Sequence, residues 1–176
     1  MSTASGWRLY AYALLILSLL VAPVSAEPSP IEQIEVSSRP ITRFHIGRDT
    51  TRFGPLEFVG GLEMTSRSRN FGALSSMRFL TPGRDFIGVT DTGFWFFGRV
   101  ERDADGRAAN LANFRMQRMV DATGAPITDK QLADAEALAV RGGVATVGFE
   151  RDHRIEQFRI GPEAMGKPIR QLDFLV

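Results

Sequence analysis

The chain has 176 residues, 44% of them apolar, with 17 Gly, 9 Pro and no Cys, a composition that excludes collagen-like, disulfide-stapled and strongly disordered classes. Its 21 Lys and Arg balance 20 Asp and Glu, so no net field gathers a phosphate backbone, and nucleic-acid binding is not expected. Without a thiol there is no Cys-type zinc site, no nucleophilic Cys and no redox switch.

The first element in chain order is not part of a fold. Arg8 precedes an apolar run over 11–21, interrupted by Tyr12 and Ser18, and then come Pro23 and the small-residue site Val24-Ser25-Ala26. This is the order of a secretory signal peptide spanning 1–26. The run is shorter than the roughly 20 residues a membrane span needs, so no stable span is expected after cleavage, although a retained anchor is the alternative. No Arg-Arg pair precedes it, which points to the general export route and a periplasmic or secreted protein.

Glu27-Pro28-Ser29-Pro30 reads as an extended linker, and 27–53 as an N-terminal extension with a first strand. Apolar segments bounded by turn signals then predict strands over 41–46, 56–64, 74–80, 86–90, 94–101, 114–120, 138–140, 144–149 and 155–160. Turns fall at Thr81-Pro82-Gly83-Arg84, Asp91-Thr92-Gly93, Asp103-Ala104-Asp105-Gly106, Ala122-Thr123-Gly124 and Gly142-Gly143. The stretch 129–139 is the one helix-like segment, good for a turn or two. The fold class expected is all-β.

An internal repeat narrows the architecture. Met77-Arg78-Phe79-Leu80, a turn, Phe86 to Asp91 and Phe94-Trp95-Phe96-Phe97 match Leu138-Ala139-Val140-Arg141, a turn, Ala145 to Glu150 and Ile155-Glu156-Gln157-Phe158. Strand repeats of this kind mark a β-propeller, whose blades cannot bury their faces alone. At roughly 40–60 residues per blade, 27–176 supplies about three blades, whereas a closed ring needs about four. The expectation is an incomplete propeller over 54–176, truncated from a longer protein, or else a small closed β-domain or an oligomer that completes the sheet.

Three acidic constellations are candidates for chemistry. Asp91-Thr92-Gly93 follows an apolar strand and is either a hairpin turn or, in a dimer, the loop of an aspartic protease. In a protease Phe94 would crowd the shared-proton dyad. Asp134-Ala135-Glu136, if extended, presents two carboxylates on one side, a pair that suits a hard cation or acid-base chemistry. Glu150 ends an apolar strand where Asp91 ends its counterpart, so Asp91, Asp134, Glu136 and Glu150 are expected to meet at one mouth. The alternative is solvated turn acids, with Glu150 paired to Arg151 or Arg154. His45 and His153 lack metal-ligand spacing. Ser75-Ser76 lacks a nucleophile elbow. Phe94 to Phe97 reads as core rather than a ligand platform.

Phe71-Gly72-Ala73-Leu74-Ser75-Ser76-Met77, Gly88-Val89-Thr90-Asp91-Thr92-Gly93, Asp134-Ala135-Glu136-Ala137-Leu138-Ala139 and Val147-Gly148-Phe149-Glu150-Arg151 together resemble a bacterial family. It is the phytase-like family described as having esterase-like activity of phytase. The pattern is Gly-Leu-Ser-Gly-Leu, a strand into Ser-Asp or Thr-Asp, Asp-x-Glu-Gly-Leu-Ala, and a strand into Glu-Arg. It runs in order over about 54–160, with Ala137 in place of a Gly. The resemblance implies an exported propeller of about twice this length that hydrolyses a small-molecule ester or phosphoester. The expected metal ligands are Asp91, Asp134, Glu136 and Glu150 around Ca²⁺, and the expected catalytic residues are Asp91, Glu136, Glu150 and Arg151. A non-catalytic periplasmic binding module is the alternative use of the same fold.

Overall fold

The computed structural model describes residues 29–173, so the signal-peptide reading of 1–26 lies outside the described residues. Thirteen strands and one short helix follow in order: β1 (Ile31–Gln33), β2 (Ser37–Ile41), β3 (Arg52–Phe53), β4 (Leu56–Glu57), β5 (Gly61–Thr65), β6 (Leu74–Phe79), β7 (Asp85–Thr90), β8 (Phe94–Arg102), β9 (Ala108–Arg118), α1 (Lys130–Ala133), β10 (Ala135–Arg141), β11 (Val144–Phe149), β12 (Arg154–Arg159) and β13 (Arg170–Leu172). The fold is all-β and propeller-like. A five-stranded antiparallel sheet, β1-β9-β8-β7-β6, packs against a four-stranded one, β10-β11-β12-β13, and the ribbons β2-β5 and β3-β4 are separate. The described residues form two blade-like sheets and no closed ring.

Turn chemistry sets the hairpins. Gly142 and Gly143 both have positive φ, 56° and 74°, the backbone a two-residue I′ turn demands. The Asp103 carboxylate accepts the N–H groups of Asp105 and Arg107 at 3.0 and 2.8 Å, closing the β8–β9 turn. Two expected strands do not form as the sequence suggested: one is displaced and one is split. The 41–46 segment leaves β2 at Ile41 and folds back, with the Arg48 N–H donating to the His45 carbonyl at 3.3 Å. The 56–64 segment is split into β4 and β5, with Gly60 between them at φ 139°.

The repeat seen in sequence is a repeat of structure. In each sheet an edge strand, β6 or β10, carries a register shift, between Leu74 and Ser76 in one and between Ala135 and Ala137 in the other. The Asp91 N–H donates to the Ala73 carbonyl at 3.1 Å, and the Glu150 N–H donates to the Asp134 carbonyl at 2.9 Å. Asp91 and Glu150 therefore occupy matching backbone positions, and so do Ala73 and Asp134.

The seam between the sheets is the main core: Ile87, Val89, Trp95 and Phe97 of the first meet Leu138, Ala145, Val147, Phe149 and Phe158 of the second. Trp95 and Phe158 cross edge to face with centroids 5.0 Å apart. The opposite face of the first sheet holds Phe86, Phe96, Leu111, Phe114 and Met116, with Leu62 of β5 over them. All four residues of the run Phe94 to Phe97 are buried, two on each face, so core packing is their role. Gly88 is required by contact: a Cβ there would lie 2.0 Å from Phe96 Cζ, and the ring lies across the strand because no side chain stands in the way.

An ion pair ties β7 to β8 outside the core. Asp85 accepts from Arg99 Nε at 2.7 Å and from Arg84 Nε at 2.9 Å, and these bonds, that of Arg99 foremost, hold its carboxyl down at about 2. A depressed acid adds stability above its unfolded value, and that stability is lost as pH falls through the folded one. The loss therefore runs from about pH 4 to about pH 2. Asp85→Asn is expected to flatten this part of the acid limb, measured by urea midpoints at pH 2, 3, 4 and 6. An unchanged acid limb would contradict the pairing.

Candidate functional site

One end of the seam gathers acids and bases on α1 and the β7–β8 turn. Asp129 caps the helix, its carboxylate accepting the Gln131 N–H at 2.9 Å. The helix ends after one turn at Asp134, whose ψ of 70° leads into β10. Ala133 rests on the turn at Gly93, where φ is 77° and a Cβ would fall 2.7 Å from the Ala133 Cβ. Glycine is thus required twice over at position 93, for the backbone angle and for the approach of the helix. The Gly93 N–H donates to the Thr90 carbonyl at 3.1 Å, and the Phe94 N–H donates to Thr90 Oγ1 at 2.9 Å. Asp91-Thr92-Gly93 is a hairpin turn, and its acid is ion-paired to a lysine.

That lysine is Lys130. Its Nζ donates to the Asp91 carbonyl at 2.6 Å and to Asp134 Oδ1 at 2.6 Å, and it lies 3.2 Å from Asp91 Oδ2. Arg151 Nε donates to Asp134 Oδ2 at 2.6 Å. The Asp134 side chain is 4% exposed, against 43% for Lys130 and 49% for Arg151. The Lys130 hydrogen bond, helped by Arg151 and opposed by burial, holds the Asp134 carboxyl below its usual range. Burial pulls the Lys130 ammonium down, but the bonds to Asp134 and Asp91 outweigh it and leave it above its ordinary value.

Carboxylate oxygens of Asp91, Asp134 and Glu136 come within 4.8 Å of one another. The route to this grouping differs from the one expected. Asp134 and Glu136 do not share a strand face: Asp134 is the helix C-cap and is buried, Glu136 is exposed, and the register shift in β10 falls between Ala135 and Ala137. Glu150 lies outside the group. Its N–H bonds Asp134, but its side chain is exposed. Pairing of Glu150 with Arg151 or Arg154 is not found among the described residues, because Arg151 is taken by Asp134, and Arg154 by Asp152 and Glu156. Lys130 was missed in sequence, where the i, i+4 spacing to Asp134 next to a capping Asp was the available signal.

The donor set suits a hard cation, which takes oxygen ligands. One observation supports the fit: Asp91 Oδ1 is buried without a hydrogen-bond partner among the described residues, an acceptor whose desolvation none of them offsets.

The model of the phytase-like family, described as esterase-like activity of phytase, matches residues 69–174. The chain belongs to the phytase-like family. The matched span begins just before β6 and takes in both blade-like sheets from there on, with α1 and the acidic end, while β1 to β5 precede it. No curated protein and no solved structure matches the chain. Among the described residues of this phytase-like domain, no helix is long and apolar enough to cross a membrane.

Proposed function

We propose that the protein is an exported phytase-like hydrolase whose acidic end holds Ca²⁺ and acts on a small-molecule ester or phosphoester. The observation that carries this reading is the convergence of Asp91, Asp134 and Glu136 oxygens within 4.8 Å, one Asp91 oxygen being buried and unpartnered. Asp91, Asp134 and Glu136 are the residues that would hold the ion. Bound there, Ca²⁺ supplies charge that neutralises substrate oxygens and orients an attacking water. Arg151 fixes Asp134 through Nε, and its other N–H groups are available to an anionic oxygen. Glu150, exposed and in no ion pair among the described residues, is the carboxylate left to accept a proton. Cleavage after Ala26 would deliver the domain to the periplasm or beyond.

A second reading, a non-catalytic binding module, is favoured by the saturation of Asp134, both of whose oxygens are already bonded by Lys130 and Arg151. Turnover separates the two. p-Nitrophenyl phosphate and p-nitrophenyl acetate, each assayed in Ca²⁺ and in chelator, are expected to give hydrolysis that the chelator abolishes. Glu150→Gln is expected to lower kcat with little change in KM. Absence of turnover in either condition would leave the binding module.

A further inference from the structure

Lys130 sits among the oxygens that a cation would need. Its Nζ contacts the main-chain carbonyl of Asp91 at 2.6 Å and the carboxylates of Asp134 and Asp91 at 2.6 and 3.2 Å. The side chain rises from a helix of four residues and is 43% exposed, so the ammonium can turn out into water while the backbone stays in place. Asp134 does not follow it, because Arg151 holds its other oxygen at 2.6 Å. Asp91 Oδ1 has no partner even with the lysine seated, so the ammonium does not satisfy every acceptor in the group.

We infer that Lys130 is a resident counter-ion that competes with a divalent cation for the oxygens of Asp91 and Asp134, and that the cation enters only as the ammonium swings out. This rests on the cation-site reading above. The ammonium occupies the space between Asp91 Oδ2 and Asp134 Oδ1, and a divalent cation brought to the same two oxygens would be repelled by that like charge a few ångströms away. The device has two consequences. Without a cation, Lys130 offsets the repulsion among Asp91, Asp134 and Glu136, so the fold does not depend on metal. With a cation present, the affinity is reduced by the cost of displacing the ammonium, which sets a threshold concentration.

Thermal melts of the full chain over a range of Ca²⁺ concentrations test this in wild type, Lys130→Met and Lys130→Arg, since an ion that binds the folded state raises Tm by mass action. Without Ca²⁺, Lys130→Met is expected to melt below wild type. Its Tm should then rise at Ca²⁺ concentrations at least about tenfold lower than wild type requires. Lys130→Arg, which keeps the charge, should need as much Ca²⁺ as wild type. A Lys130→Met chain that folds only when Ca²⁺ is added would support the inference in its strongest form. Equal Ca²⁺ dependence in wild type and Lys130→Met would overturn the competition while leaving the cation site standing. No Ca²⁺ effect on any of the three would overturn the cation site and the competition with it.

Discussion

Trp95→Ala is expected to lower the unfolding free energy by about 3–5 kcal/mol, the range for deleting a large buried aromatic. Trp95 is 1% exposed and lies in the seam between the sheets, edge to face with Phe158, which is fully buried. The neighbouring positions Ile87, Val89, Val147 and Phe149 come from strands held by hydrogen-bonded ladders on both sides of the seam. They cannot collapse far into the space the indole leaves, so the cavity cost adds to the lost transfer free energy. Domains of this size have only about 5–15 kcal/mol of stability, so the loss is a large share of the total. Urea unfolding followed by circular dichroism should show a lower midpoint with an unchanged slope. A cost below about 1 kcal/mol would mean that the two sheets are not packed through this residue.

Glu136→Gln is expected to weaken Ca²⁺ binding at least about tenfold, because hard-cation affinity follows the number of charged oxygens in the site. Glu150→Gln should leave it within about twofold, because an exposed charge outside the coordinating group acts only through screened solvent. The contrast follows from geometry: the carboxylate of Glu136 belongs to the group within 4.8 Å, and that of Glu150 does not. Neither substitution should shift cation-free stability by more than about 0.5 kcal/mol, since both side chains are exposed and Lys130 with Arg151 already balances the buried acid. Equal effects of the two substitutions would show that Glu150 shares the site.

The hairpins were legible in the sequence wherever turn chemistry and strand composition agreed. Strands β7, β8, β11 and β12 fall within a residue or two of their expected bounds because Gly93, Gly142 and Gly143 mark the turns and β-branched or aromatic residues fill the strands. The repeat was also legible, down to the matching ends at Asp91 and Glu150. Elsewhere local composition misled. β10 begins at Ala135, three residues early, since Ala135, Glu136 and Ala137 favour helix and only pairing with β11 makes them a strand. β9 begins at Ala108 among Ala and Asn, residues with little strand preference, and β1 is held by pairing with β9 far along the chain.

The acidic end was half legible. Matching backbone positions correctly brought Asp91 and the Asp134 region to one end, but equivalence of backbone does not make side chains converge, and Glu150 points the lesson. The i, i+4 spacing offered Lys130 a bond to Asp134, but its contact with Asp91 depends on how α1 rests on Gly93, a tertiary approach that no local pattern encodes. The same packing turns Asp134 from a member of an alternating strand pair into a buried helix cap.

Calorimetric titration of Ca²⁺ into the full chain tests the cation site most directly, with Glu136→Gln and Glu150→Gln run alongside wild type. Saturable binding by wild type and Glu150→Gln, with binding weakened at least about tenfold in Glu136→Gln, is the result the geometry predicts. No heat of binding in wild type, or one isotherm shared by all three proteins, would contradict it.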